Sequence, residues 1–331
     1  MDPILIITVL AGFFVTLFFI PFWIKKAKQI GLVGEDKHKK TGEKVAEAGG
    51  VSVLFGFVFG VLIYIAIKTF YYNNSENLVD IFALLSSVLI IGFVGFLDDI
   101  LGWKKGLSRR SRIILVLFAA IPLMVINAGE SSMMGIEFGW LYPLFFVPLG
   151  VLGATTTYNF LAGMNGLETG QGIIILSGLA TVVYLTNKSW LSLMLIIMIF
   201  CLIAFYLFNK YPAKIFPGDT LTYPIGALIA ITSIIGNIEK IAVFFFIPYI
   251  LETGLKIRGK LQKESFAKMN GNGGLEVPYD KFYGLEHIAV YILKKIKKGG
   301  DVHEKEVVYL INAFQIFIII LGFALFRGEI F

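Results

Sequence analysis

Long apolar runs separated by polar stretches set the pattern of this chain. Ten runs read as membrane helices: 4–24, 49–69, 79–97, 111–128, 138–154, 170–186, 190–208, 219–236, 239–257 and 307–326. About 20 apolar residues in a helix cross the hydrocarbon core of a bilayer. Several runs carry Gly or other small residues, which membrane helices tolerate. The expected fold is therefore all-α: one integral-membrane domain over 1–331, with ten transmembrane helices and a long polar loop at about 258–306. No small-residue cleavage site follows the first run, so it is expected to remain as a span.

Composition agrees with that pattern. Of the 331 residues, 57% are hydrophobic and 16% charged, against ~25% charged in soluble domains. The net charge of +6 reports loops rather than nucleic-acid binding, because no basic-aromatic binding motif is present. All but four of the 29 Lys and Arg (Lys68, Lys188, Lys240 and Arg327) fall on one side of the ten-span layout. Lys and Arg collect on the cytosolic side of membrane proteins. Both termini are then expected outside and the sizeable loops in the cytosol. The membrane would be the plasma membrane of a prokaryote or the endoplasmic reticulum of a eukaryote. The single Cys201 lies in an apolar run and reads as a buried thiol with no intrachain disulfide.

Candidate chemistry sits at the predicted cytosolic ends of the spans. Asp98 and Asp99 end the third run, where charges close to hydrocarbon are costly, by ~2.5–3.5 kcal/mol each at the bilayer centre. Glu47 precedes the second run. Arg109, Arg110 and Arg112 open the fourth. The fifth leads into Asn159-Phe-Leu-Ala-Gly-Met-Asn165-Gly-Leu-Glu168, and Phe216-Pro-Gly-Asp219-Thr opens the eighth. In a compact bundle these ends share one rim. Its ligands are carboxylate and amide oxygens without a Cys or His cluster, which favours Mg²⁺ or Mn²⁺ over zinc. Acids, a hard cation and interleaved Arg or Lys are what phosphoryl transfer uses. Each piece has a bland counterpart: a solvated helix end for the Asp pair, turn residues for the two Asn, an N-cap for Asp219.

Taken together, these motifs resemble the polyprenyl-phosphate N-acetylhexosamine-1-phosphate transferases, in order and spacing along nearly the whole chain. The bacterial pattern Asn-Leu-x-Asp-Gly-x-Asp-Gly-Leu has lost both Asp here, giving Leu-Ala-Gly-Met-Asn-Gly-Leu-Glu. That variant, with Gly273-Gly-Leu-Glu-Val-Pro-Tyr-Asp-Lys-Phe282 in the ninth loop, is similar to the eukaryotic and archaeal UDP-GlcNAc–dolichyl-phosphate GlcNAc-phosphotransferases. The resemblance implies ten spans and Mg²⁺-dependent transfer of GlcNAc-1-phosphate from UDP-GlcNAc to dolichyl or another polyprenyl phosphate. The products would be UMP and the lipid-linked pyrophosphate sugar that starts N-glycan assembly. It also implies roles. Asn159 and Asp219 match metal ligands, and Asp98 and Asp99 the acidic pair. Asn165 matches the residue that reads uracil; Glu168 and Glu47 lie nearby in the substrate site. Arg112 stands where the family has a phosphate-binding Lys, with Arg109 and Arg110 as alternatives. The Arg-His-Arg stretch of the ninth loop is absent, and Lys260 and Lys263, beside Arg258 and Lys268, are the expected substitutes. One-step transfer and an aspartyl-phosphate route both remain open.

A transporter using the same acids is the reading from another class. Placement at the rim rather than the midplane, and the lack of an internal repeat, weigh against it. The expected partners are the nucleotide sugar, the lipid phosphate and the bilayer, with oligomeric state open, a homodimer included. Leu285–Lys298, apolar early and basic late, reads as an interfacial or a packed helix. His38, His287 and His303 show no metal spacing and are expected at the surface. Trp23, Trp103, Trp140 and Trp190 are expected as interface anchors.

Overall fold

The computed structural model describes residues 3–39, 42–102, 106–133, 136–270, 273–298 and 300–330; Trp103 lies outside the described residues. The chain runs through α1 (Ile6–Ile30), β1 (Val33–Glu35), β2 (Lys44–Ala46), α2 (Gly50–Ala66), α3 (Leu78–Leu101), α4 (Arg109–Ala119) and α5 (Ile121–Val125). Next come β3 (Ser132–Met133), β4 (Ile136–Glu137), α6 (Val147–Tyr158), α7 (Leu167–Leu185), α8 (Ser189–Asn209) and α9 (Asp219–Gly236). The last part holds α10 (Glu239–Phe245), α11 (Ile247–Arg258), β5 (Lys268–Met269), β6 (Leu275–Glu276), α12 (Leu285–Ile296), α13 (Glu304–Leu325) and α14 (Arg327–Ile330). The bundle is helical; among the described residues the loops add three short antiparallel ribbons, β1–β2, β3–β4 and β5–β6.

Seven of the ten predicted runs form helices long and apolar enough to cross a membrane: α1, α2 with its wider-wound continuation to Tyr71, α3, α7, α8, α9 and α13. The other three are interrupted. The run at 111–128 divides into α4 and α5 around Ala120, with Pro122 in the first turn of α5. The run at 239–257 divides into α10 and α11 at Phe246, just before Pro248. The run at 138–154 starts later, as a wide turn over Tyr142–Phe146 that leads into α6, with Pro143 and Pro148 in it. Proline lacks the N–H that would continue the helical ladder and its ring clashes with the preceding turn. Counting apolar residues measures hydrophobic length and passes over these interruptions.

Helix α9 is the centre of the bundle. Every residue from Thr220 to Gly236 is buried, and the helix packs on α2, α3, α6, α7 and α10. The fit with α3 is close enough that a Cβ on Gly95 would lie 2.4 Å from the Asp219 carbonyl oxygen. This brings the end of α3 against the start of α9. The first loop is tied to the same place. Phe216 N–H donates to Ala46 O (2.8 Å), and Gly49 and Gly50 N–H donate to Phe216 and Pro217 O (2.9 and 3.0 Å). The amphipathic α12 packs on α11, α13 and β6 through Leu285, Ala289 and Val290, so the packed reading holds for that face. Two histidines depart from the surface expectation. His287 is fully buried on α12 where that helix packs on α11 and α13, and His38, in the first loop, is 8% exposed between Phe266 and Glu304.

Candidate active site

Eight of the residues singled out from the sequence line one cavity of about 700 Å³: Glu47, Asp98, Asp99, Arg112, Asn159, Asn165, Glu168 and Asp219. They come from the first loop, the end of α3, the start of α4, the loop after α6, and the starts of α7 and α9.

The adjacent acids have different partners. Asp98 faces α4: Arg112 Nη2 lies 2.5 Å from its Oδ2, Leu107 N–H donates to its Oδ1 (2.6 Å), and the Tyr223 hydroxyl donates to Oδ2 (3.3 Å). Asp99 faces α9. Its Oδ1 accepts Asp219 N–H (2.8 Å), and its Oδ2 accepts Thr220 N–H (3.0 Å) and the Thr220 hydroxyl (2.5 Å). Asp99 therefore serves α9 as an N-cap supplied from another helix, the role that a preceding Ser or Asp side chain usually fills. Gly218 makes room for it. Its φ of +68° suits glycine, and a Cβ there would sit 2.2 Å from Asp99 Oδ2.

Asn159 and Asp219 meet directly. The Asn159 amide nitrogen donates to Asp219 Oδ1 (2.9 Å), while its oxygen accepts the Thr222 hydroxyl (3.0 Å). Glu168, at the start of α7, closes the loop before it: its Oε1 accepts Gly163 N–H (2.9 Å), and its carbonyl accepts the buried Tyr158 hydroxyl (2.5 Å). Glu47 is fixed through its backbone, whose N–H donates to Leu32 O and whose carbonyl accepts the Trp23 indole (3.1 Å each). Burial, then the nearby Asp99 charge, raise its carboxyl above the ordinary range. Trp23 thus has a structural partner at the site, beyond the interface role expected of it.

Asn165 is held by two acids the sequence reading did not select. Its backbone N–H donates to Glu304 Oε1 (2.6 Å), and its amide nitrogen to Glu304 Oε2 (3.0 Å) and Asp36 Oδ2 (3.1 Å). Asp36 and Glu304 also line the cavity.

Lys260 and Lys263 do not line it. The chain leaves α11 through two left-handed residues, Lys260 and Leu261, and Lys263 lies over the Tyr279 ring, 4.8 Å from its centroid. Phe266 reaches the cavity from that segment instead. Arg112 and Lys37 are the basic residues among the described lining. Arg109 and Arg110 are exposed and outside it.

Comparison with known proteins gives the family. The glycosyl transferase family 4 model matches residues 81–237. A Saccharolobus solfataricus protein is 33% identical over 314 residues, covering 93% of this chain and 92% of its own length. The chain belongs to glycosyl transferase family 4. A Sulfolobus acidocaldarius relative is 32% identical over 329 residues, 96% of this chain and 95% of its own. Both archaeal proteins carry, provisionally, the name UDP-N-acetylglucosamine–dolichyl-phosphate N-acetylglucosaminephosphotransferase. A phospho-N-acetylmuramoyl-pentapeptide-transferase of Streptococcus pyogenes is 30% identical over 263 residues, 75% of this chain and 77% of its own.

This family 4 member is a membrane sugar-phosphate transferase, and the transporter reading has no support among its relatives. The family match contains Asp98, Asp99, Arg112, Asn159, Asn165, Glu168 and Asp219 but stops short of Asp36, Glu47 and Glu304. Those three line the candidate cavity from outside the matched core. Glu47 was legible beside Gly49-Gly50. Asp36 and Glu304 carried no local signal: each is an acid in a charged stretch, and only the fold brings it to Asn165.

Proposed function

We propose that the protein transfers GlcNAc-1-phosphate from UDP-GlcNAc to dolichyl or another polyprenyl phosphate, with Mg²⁺ as cofactor, releasing UMP and starting N-glycan assembly. The observation that carries this reading is the cavity itself, where the Asn159–Asp219 pair lies beside the Asp98–Arg112 ion pair. Asn159 and Asp219 offer amide and carboxylate oxygens, a donor set that suits a hard divalent cation. Bound there, Mg²⁺ would neutralise charge on the diphosphate and its leaving group. The lipid phosphate oxygen attacks the sugar-bound phosphorus, and the bond from that phosphorus to the oxygen retained by UMP breaks. Asp98 is the acid that orients the incoming phosphate or takes its proton, because it stands against the Arg112 guanidinium, whereas Asp99 holds the backbone at the start of α9. Arg112 offers its guanidinium to phosphate oxygens, bidentately if it swings from Asp98. Asn165 faces the uracil, with Glu47 and Glu168 shaping the donor site. Lys37, which lines the cavity, takes the phosphate-binding part first expected of Lys260 and Lys263.

The placement in the membrane follows the charge pattern. The three interrupted helical segments complete ten crossings, both termini lie outside, and the cavity opens to the cytosol, where nearly all Lys and Arg collect. The test is UMP release by the purified protein in detergent. UMP should appear only with UDP-GlcNAc, polyprenyl phosphate and Mg²⁺ present together. No turnover with any UDP-hexosamine under those conditions would refute the reading.

A further inference from the structure

We propose that Asp36 and Glu304 are positioning residues that lock the Asn165 amide so that only its oxygen is offered to the donor's base. The proposal rests on the reading above that Asn165 meets that base.

The argument starts from the two ends of the amide. Its nitrogen donates to Asp36 Oδ2 (3.1 Å) and to Glu304 Oε2 (3.0 Å). An amide NH₂ has two hydrogens, and an amide oxygen has none to give. Turned end for end, the group would set its oxygen against two carboxylate oxygens with no hydrogen between them. The two acids therefore fix which end is which. Glu304 adds a second restraint through the Asn165 backbone N–H (2.6 Å). The remaining atom, Asn165 Oδ1, is buried and accepts no hydrogen bond among the described residues. A buried acceptor without a donor is unfavourable, and Asn165 lines the cavity, so a ligand that settles against this residue and brings an N–H is favoured there.

That arrangement distinguishes pyrimidines. Uracil carries an N–H at ring position 3; cytosine has a lone pair at the same place. A fixed oxygen pairs with the first and repels the second. An amide free to turn would accept either, by offering its oxygen to one and its NH₂ to the other. The selectivity thus resides in the two acids as much as in Asn165, and they come from the first loop and the first residue of α13.

Asp36, His38 and Glu304 also lie close enough to one another to suggest a cation site. The bonding argues for the lock instead. Glu304 Oε1 and Oε2 each accept an Asn165 N–H. Asp36 Oδ1 accepts the His38 N–H (3.1 Å) and Oδ2 the Asn165 amide. A metal ion at the carboxylates would face the amide hydrogens. His38 Nδ1 lies 3.5 Å from Glu304 Oε1 and Lys39 Nζ 3.5 Å from Asp36 Oδ2, so the acids have cationic or donor neighbours without one.

Equilibrium binding of UMP and CMP to the purified full chain tests the idea without requiring turnover. The parent should prefer UMP. Asp36→Asn combined with Glu304→Gln should lower that preference about tenfold, the scale of one hydrogen bond, with CMP gaining as UMP loses. Asp36→Asn alone, isosteric and in a loop, should give a smaller change in the same direction, and it carries the test if the double variant does not fold. Loss of both nucleotides in equal proportion would mark a merely structural role and overturn the proposal. Asn165→Ala separates the two levels. If it leaves the UMP preference intact, or if the parent does not prefer UMP, the base reading fails and the lock with it. If it abolishes the preference while the Asp36 and Glu304 variants keep it, Asn165 reads the base and the lock alone is overturned.

Discussion

Replacing Asp99 with alanine should destabilise the protein as well as inactivate it. The carboxylate accepts three hydrogen bonds at the start of α9, from Asp219 N–H, Thr220 N–H and the Thr220 hydroxyl. Losing an N-cap acceptor costs ~0.5–2 kcal/mol, and each buried donor left without a partner ~1–3 kcal/mol. Water from the cavity recovers part of this for Asp219, so the total is about 3 kcal/mol. With an unfolding entropy of ~2.1 cal/mol/K per residue, that lowers the thermal midpoint of a 331-residue chain by at least about 4 °C. The shift is larger if helices persist in detergent, because the unfolding entropy is then smaller. Asp99→Asn keeps one acceptor atom and should fall between parent and alanine. Asp98→Asn keeps the three capping hydrogen bonds of α9 and weakens instead the contacts to Arg112 and Tyr223, so its effect on the midpoint is separate from the cap, although activity falls. Thermal unfolding of the purified variants, read by tryptophan fluorescence or by loss of monodispersity, gives the order. An Asp99→Ala protein that unfolds at the parent temperature would refute the capping argument and return Asp99 to a purely chemical role.

Two further outcomes follow from the geometry. Asp219→Ala should abolish UMP release, and Asn159→Ala should raise the Mg²⁺ concentration needed for half-maximal rate or abolish turnover as well; near-parent rates at low Mg²⁺ would remove that residue from the proposed metal site. His287 supplies a pH dependence. It is buried in α12, with its Nδ1 accepting Tyr283 N–H (3.2 Å), and burial, then the Lys256 charge, lower its pKa from 6.5 to about 4. The unfolded chain protonates this group first, so its contribution is present above pH 6.5 and is lost as pH falls toward about 4. Unfolding midpoints across that window should fall less steeply in His287→Gln, which keeps an acceptor but does not titrate; an unchanged slope would exclude His287 as the source.

The sequence by itself determined the helical membrane class and seven of the long helices. Hydrophobic length is a local property, and Leu-, Ile- and Phe-rich runs such as 190–208 leave few alternatives. It also determined most of the candidate site, since Asp98-Asp99, the 159–168 stretch and Asp219 are compact motifs whose residue types announce their chemistry. The tertiary structure decided how the interrupted segments are divided and what each acid does. Asp98 and Asp99 are neighbours in sequence, yet a helix turns successive side chains by about 100°; one meets Arg112 and the other caps α9. The partners of Asp99 lie 120 and 121 positions away, and those of Asn165 lie 129 and 139 positions away. Hydrogen bonds act over about 3 Å, so such partnerships exist only after the helices have packed, and no spacing along the chain encodes them.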